Sequence, residues 1–168
     1  DTNAAHQYID TSVESARRSG DRWLLATAIH YRGRVLYHMG EVTQARAALR
    51  ESEAIFRETG DKWSVAAVLE TLAAIVSEPD SARALYEEAL RIFQEVEHQE
   101  GQVITSSNLA GLALIQGDIP RAEELFNRIL SEARELGIKA TVAFCLRGLG
   151  RVRIAEGNFN DAEKYLSE

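Results

Sequence analysis

Four histidines, one cysteine and a surplus of carboxylates are what this 168-residue chain offers for proton, metal or nucleophile chemistry. His30 and His38 stand eight residues apart, which is about 80° around a helix. His6 and His98 lie far from both in sequence, and no His-Glu-x-x-His pair occurs, so a zinc site is not expected. Cys145 lies among Phe144, Leu146 and Leu149, with no basic partner placed beside it to stabilise a thiolate. It reads as a buried, inert thiol. No Gly-x-Gly-x-x-Gly or Gly-Lys-Ser/Thr phosphate loop is present. The runs Glu87-Glu88, Glu123-Glu124 and Arg17-Arg18 read as solvated helix faces. The expectation is a non-enzymatic chain without cofactor or metal. One pair has the chemistry of recognition. Arg147 and Arg151 are a helical turn apart, so their guanidinium forks share a face and can grip a carboxylate or phosphate. Alternatively they are solvated or paired with acids of a neighbouring unit.

Composition narrows the classes further. Lys+Arg number 19 against 26 Asp+Glu, a net charge of −7, which argues against nucleic-acid partners and anionic membrane surfaces. Apolar residues at 45% and charged residues at 27% are the ordinary globular mix. A single cysteine excludes an intrachain disulfide and fits a reducing, cytoplasmic setting. The longest uncharged apolar-rich runs, such as Gln102 to Gln116, are polar in part and shorter than the ~20 residues a membrane span needs. The chain opens Asp-Thr-Asn, without initiator Met or signal-type segment, and reads as a piece of something longer.

The elements that would position the arginines come from a repeat. Gly20-Asp21-Arg22-Trp23 recurs as Gly60-Asp61-Lys62-Trp63. Gly40-Glu41-Val42-Thr43-Gln44-Ala45 resembles Gly117-Asp118-Ile119-Pro120-Arg121-Ala122 and Gly157-Asn158-Phe159-Asn160-Asp161-Ala162. A small residue, Gly33, Ala110 or Gly150, stands twelve residues before each alanine. Between Ala73 and Ala82 the spacing is nine, and Pro79 falls in the gap. The first helix of that unit should therefore stop near Ser77 or Glu78, a turn early. The expected units are 1–19 (partial), 20–59, 60–96, 97–136 and 137–168 (partial), all of one domain.

Each unit reads as two helices, because apolar residues recur at i, i+3/i+4 and i+7 and no strand-like alternation is sustained. Residues 4–19, with Ala5, Ile9 and Ser12 in the register of Ala45, Leu49 and Ser52, read as a lone second helix. Asp21, Asp61 and Asp118 are expected N-caps. Helices joined by a short turn cross closely only where a side chain is nearly absent. Gly33, Ala73, Ala110 and Gly150 supply that notch on the first helices, and Ala45, Ala82, Ala122 and Ala162 on the second. Leu49, Tyr86, Phe126 and Leu166 then fill the space between units. Trp23 and Trp63 either staple their helices onto the preceding unit or stand as exposed anchors, and their identical phase favours the staple.

These residues resemble the tetratricopeptide repeat. Gly157 to Ala162 matches the Gly-x-aromatic-x-x-Ala half of that family's pattern, and Ala82 to Ala89 its second half. The period of 40 exceeds the usual ~34 residues. Ser52 and Ile129 replace the last alanine in two units, and the proline after the second helix is absent. The joint from Glu51 to Trp63 is similar to that of long-repeat solenoids. Such solenoids form the sensor half of bacterial signal-transducing ATPases and of maltose-regulator-type transcriptional activators. Kinesin light chains and Pins-type scaffolds also use long units.

The resemblance implies an all-α, right-handed α-α superhelix whose first helices line a concave face. It places Thr27, His30, Arg34 and Tyr37 on that face, with His38 beside them. Glu70 follows in the next unit with Ala67, Ala74 and Ser77. Ile104, Ser107, Gly111 and Leu114 come from the third unit, and Phe144, Arg147, Arg151 and Ile154 from the fourth. The family's carboxylate-clamp pattern of Lys and Asn is not reproduced. The implied function is a non-catalytic protein-, peptide- or ligand-sensing module of a larger cytoplasmic regulator, partnered by neither nucleic acid nor membrane. The alternative is a structural spacer or self-association scaffold, with end-to-end contacts through exposed apolar ends. An exposed ion pair contributes ~0.2–1 kcal/mol, whereas a micromolar complex needs ~8 kcal/mol. Apolar anchors such as Tyr37, Ile104, Leu114 and Phe144 would therefore carry most of any binding.

The notch reading is open to a direct check. Gly150→Leu should overpack the helix crossing and destabilise by ~1–3 kcal/mol, read as a lowered thermal midpoint. Unchanged melting would contradict the notch.

Overall fold

Asp21 and Asp61 start their helices as expected. The Asp21 carboxylate accepts the Leu24 amide at 3.0 Å and that of Asp61 the Ser64 amide at 3.0 Å, satisfying donors that have no partner within the helix. The Asp118 carboxylate accepts the Arg121 amide at 3.3 Å. The computed structural model describes residues 2–168, with side chains at 4 and from 6 onward. The side chain of Ala5, an expected register position, lies outside the described residues. The helices are α1 Thr2–Ser19, α2 Arg22–His38, α3 Val42–Thr59, α4 Lys62–Ile75, α5 Pro79–Glu95, α6 Gln99–Ile115, α7 Ile119–Glu135, α8 Lys139–Ala155 and α9 Phe159–Ser167. No strand occurs among the described residues.

Three caps have no aspartate. His98 accepts the Gly101 amide on Nδ1 at 3.0 Å, and Asn158 accepts the Asp161 amide on Oδ1 at 3.2 Å. Glu78 takes the amides of Asp80 at 3.0 Å and Ser81 at 2.5 Å. That last cap explains a small shift from expectation. α4 has 14 residues where α2 has 17, and it ends at Ile75, a little before the expected Ser77 or Glu78. Glu78 caps α5, whose first residue is Pro79, and Val76 turns extended to reach it. Most other joints carry a left-handed glycine, among them Gly60 (φ 74°) and Gly137 (φ 72°). Glu97 occupies the corresponding joint with φ 53°.

The chain forms two compact units, residues 1–92 and 93–168. In the first, α2 packs against α1 and α3, and α3 against α4. A Cβ at Gly33 would lie 2.6 Å from Leu49 Cγ and 3.2 Å from the Ala45 carbonyl, so Leu49 fills the missing side chain's space. Ser52, standing where the family's alanine is expected, is buried and donates its hydroxyl to the Ala26 carbonyl at 2.8 Å. It thus ties α3 to α2 while satisfying its own polar group. Glu53, also buried, is held by Arg50 and Arg57, and Arg57 pairs in turn with Glu88.

In the second unit α7 packs against α6 and α8, and α9 against α8. Its core gathers Ala110, Ala122, Phe126, Ile129, Cys145 and Leu149. Gly150 closes on Leu166, whose Cδ2 would lie 2.9 Å from an added Cβ. Sequence reasoning missed a tighter notch at Gly148, where a Cβ would lie 2.4 Å from Phe126 Cζ. Two residues is over half a helical turn. One glycine therefore serves the approach to α7 and the other the approach to α9.

Trp23 corrects an expectation. It does staple its helix, but onto the following repeat: its indole N–H donates to Asp61 Oδ2 at 2.8 Å. Burial opposes the Asp61 charge. Bonds from the Ser64 hydroxyl and amide, the Trp23 indole and the Trp63 amide outweigh that burial, and the carboxyl lies below its ordinary value.

Two measurements follow. A non-glycine residue in the left-handed region is disfavoured by ~1–2 kcal/mol, and glycine's extra unfolded-state freedom returns part of that. Glu97→Gly is expected to stabilise by about 0.5–1 kcal/mol, seen as a raised denaturation midpoint. A fall would mean that the Glu97 side chain matters more than its backbone. Asp61→Ala is expected to destabilise by about 0.5–2 kcal/mol at neutral pH. Because the folded-state pKa of Asp61 lies below the unfolded 3.8, its contribution is complete above that value and is lost as pH falls through the lower one. The gap to wild type should narrow in acid during urea titrations, and a gap independent of pH would refute the cap's charge dependence.

Candidate functional site

In the first unit the expected face lies on α2 and α4. His30 is half-buried, and its Nε2 lies 3.0 Å from the Thr71 hydroxyl. Thr71 spends its own proton on the Ala67 carbonyl at 3.0 Å, so the imidazole Nε2–H is the donor. Burial, then the charge of Arg34, push the His30 pKa down to about 4, and the ring is neutral at physiological pH. The His30 ring stacks on Tyr31 with centroids 6.0 Å apart, and the Arg34 guanidinium lies 5.5 Å from the Tyr31 ring centre. Thr27 and Glu70 are half-buried, and Arg34 and Tyr37 are exposed. Tyr37 leans on His38 at 5.8 Å. Burial, then Glu70, then Tyr37 push buried Tyr86 up to about 12. Ala74 is exposed, and Ser77 lies beyond the end of α4, off any helical face.

Thr71 and Tyr31 were missed by sequence reasoning. Both adjoin expected positions, but which side of a helix carries a partner depends on the crossing angle.

In the second unit the face lies on α6 and α8. Ser107 is buried, and its hydroxyl donates to the Ile104 carbonyl of its own helix at 2.7 Å. Its one proton is thereby spent, and it has no donor left to offer a partner. Ile104 is half-buried, while Leu114 and Phe144 pack partly against the core. The Phe144 ring is tilted against Phe126 at 6.1 Å and lies close to Gly111, where an added Cβ would be 3.1 Å from its Cζ. The Arg147 guanidinium sits 5.4 Å from the Phe144 ring centre, in cation–π range. Arg147 and Arg151 are both exposed. Arg153, by contrast, is held by Glu123 and Glu156. Among the described residues no carboxylate pairs with Arg147 or Arg151.

Alongside α8 and α9 runs a cleft of about 600 Å³, lined by Val142, Ala143, Leu146, Arg147, Tyr165 and Leu166 among others. Cys145 is fully buried, and burial pushes its thiol up to about 11. Among the described residues no group of three or more His, Cys, Asp or Glu is arranged to hold a metal ion. Among the described residues no helix is long and apolar enough to cross a membrane. Trp23 and Trp63 are about half exposed, and Tyr8, Ile154, Phe159 and Leu166 are also exposed.

A model of the tetratricopeptide repeat family matches residues 24–95, 76–135 and 101–168. No curated protein sequence matches the chain. Among solved structures, BtubC (BKLC) from P. vanneervenii is similar with a TM-score of 0.82 and 23% identity, over 99% of this chain and 71% of its own. A kinesin-light-chain-like protein of Podosopora anserina with nearly identical repeats has a TM-score of 0.74 and 18% identity, over 99% and 84%. A Signal Transduction ATPase with Numerous Domains from Pyrococcus horikoshii, with a tetratricopeptide repeat sensor, has a TM-score of 0.71 and 14% identity, over 86% of this chain and 23% of its own. These likenesses show the fold class, an all-α solenoid of helix-turn-helix repeats.

Proposed function

We propose, from the premise that this chain belongs to the tetratricopeptide repeat family, that it is a non-catalytic peptide- or protein-binding module of a larger cytoplasmic regulator. Repeats of this kind are interaction modules, and one similar structure carries its repeats as the sensor of a signal-transducing ATPase. The observation that carries the reading is the α8 pair. Arg147 is held over the Phe144 ring, Arg151 stands one turn on, and neither has a carboxylate partner among the described residues.

In a chain of net charge −7, two exposed unpaired guanidiniums on one helix face select for an acidic ligand. Phe144 supplies apolar contact beside Arg147, and Ile104 and Leu114 of α6 are half-buried apolar residues of the same unit. The partner is therefore a peptide segment mixing acidic and apolar residues. In the first unit the neutral ring of His30 leaves Arg34 as the cation of the α2 face. The absence of catalysis is supported by the same groups. The Cys145 thiol is enclosed, and the His30 ring has its N–H committed to Thr71. A scaffold that associates with itself is the second reading, favoured by the exposed rings of Tyr8 and Phe159.

A display selection of random dodecapeptides should enrich acidic–apolar sequences. Arg147→Glu with Arg151→Glu replaces two attractions by two repulsions. At ~0.2–1 kcal/mol per exposed pair, affinity for a selected peptide should fall about tenfold to hundredfold with helicity unchanged by circular dichroism. Undiminished binding would sink the α8 site. A scattering mass that grows with concentration, without peptide enrichment, would favour the scaffold.

A further inference from the structure

We infer that Gly111 is a positioning residue for this recognition: its missing side chain lets the Phe144 ring lie against α6, and that ring aims Arg147 at an acidic peptide. The inference rests on the reading that the α6/α8 face of the second unit binds such a peptide.

The helical glycines of this chain differ in what they face. Gly33, Gly101, Gly148 and Gly150 have a core or inter-helix side chain where their own would be: Leu49, Phe93, Phe126 and Leu166, with closest approaches of 2.4 to 2.9 Å. Their absence of a side chain is a packing requirement. Gly111 is half-exposed, and only Phe144 lies near it, at 3.1 and 3.6 Å. A glycine inside a helix is less stable than an alanine. No core contact on α6 compensates for that here, because the space is used by the tip of a ring that belongs to the candidate site.

An alanine at this position would press the Phe144 ring by a few tenths of an ångström. The ring cannot simply retreat, because Phe126 is packed against it at 6.1 Å on the core side. It swings outward instead, and with it moves the face on which the Arg147 guanidinium rests at 5.4 Å. Arginine has a long, flexible stem, so an arginine without that platform must be ordered by the ligand itself. Gly111 therefore lowers the stability of its helix and pre-orients a cation on the neighbouring one.

The test uses the whole 168-residue chain, nuclear magnetic resonance of the Arg147 side chain, and a fluorescein-labelled peptide of alternating glutamate and leucine. In wild type the Arg147 Nε–H resonance should be displaced by the Phe144 ring current, and Phe144→Leu should abolish the displacement. Gly111→Ala should reduce the displacement without lowering the thermal midpoint and should weaken the peptide about two- to fivefold, the range of an exposed cation–π contact. A merely structural glycine would lower the midpoint and leave the resonance where it was. An unmoved resonance in Gly111→Ala, or a moved one with undiminished peptide affinity, overturns the positioning role. Failure of the wild-type chain to bind the peptide overturns the recognition that the role serves, and the resonance still reports whether Gly111 places Arg147.

Discussion

The approach of two helices at a position without a side chain is the constraint on which the rest of the structure depends. A helix pair of this length buries too little apolar surface alone, so stability requires each helix to be covered on two sides. Close covering needs a notch. Leu49 enters the one at Gly33, and Phe126 and Leu166 enter those at Gly148 and Gly150. Once a leucine or phenylalanine is seated there, the rotation of each helix is set. Rotation decides what remains outside, so Arg147 and Arg151 on α8 are exposed because Gly148, Leu149 and Gly150 between them face inward.

Short joints carry that phase from one helix to the next. A left-handed glycine ends one helix and the next residue starts another, with a side-chain cap at Gly60-Asp61 and without one at Gly137-Ile138. The shortened unit shows how much variation this tolerates. Its α4 ends early, at Ile75, and Glu78 rebuilds the start of α5.

The positions that could be read from sequence are those with few competing explanations. A glycine within a helical stripe, an aspartate before one and a proline in a gap each have a narrow set of physical uses. The notches at Gly33 and Gly150, the caps at Asp21, Asp61 and Asp118 and the short α4 were legible for that reason. Gly148 was not, because the repeat spacing drew attention to Gly150 and the ring that needs Gly148 comes from another helix. The caps at His98 and Asn158 were also missed, since histidine and asparagine have many other roles. The direction of Trp23 depends on where an indole reaches in three dimensions. On the candidate face, register arithmetic treated His30, Glu70, Ser107 and Arg147 as equivalent. Their backbones occupy the same register, but their reach differs. The short Ser107 hydroxyl folds onto its own helix, while the Arg147 stem extends past its neighbours into solvent.

That difference in reach also accounts for the electrostatics of the face. With 26 acids and 19 Lys+Arg in the chain, an arginine without a carboxylate is the less expected outcome, and Arg57 and Arg153 each have two. Arg147 and Arg151 repeat, one unit on, the register of Ser107 and Gly111. Neither of those α6 residues carries charge, and neither projects far enough to cover the guanidiniums of α8. The small residues thus leave the cations without an internal partner and, at Gly111, leave room for the ring that orients one of them. An acidic residue at position 107 or 111 would put a carboxylate on the adjoining helix face, where it would compete for the guanidiniums with any acidic ligand.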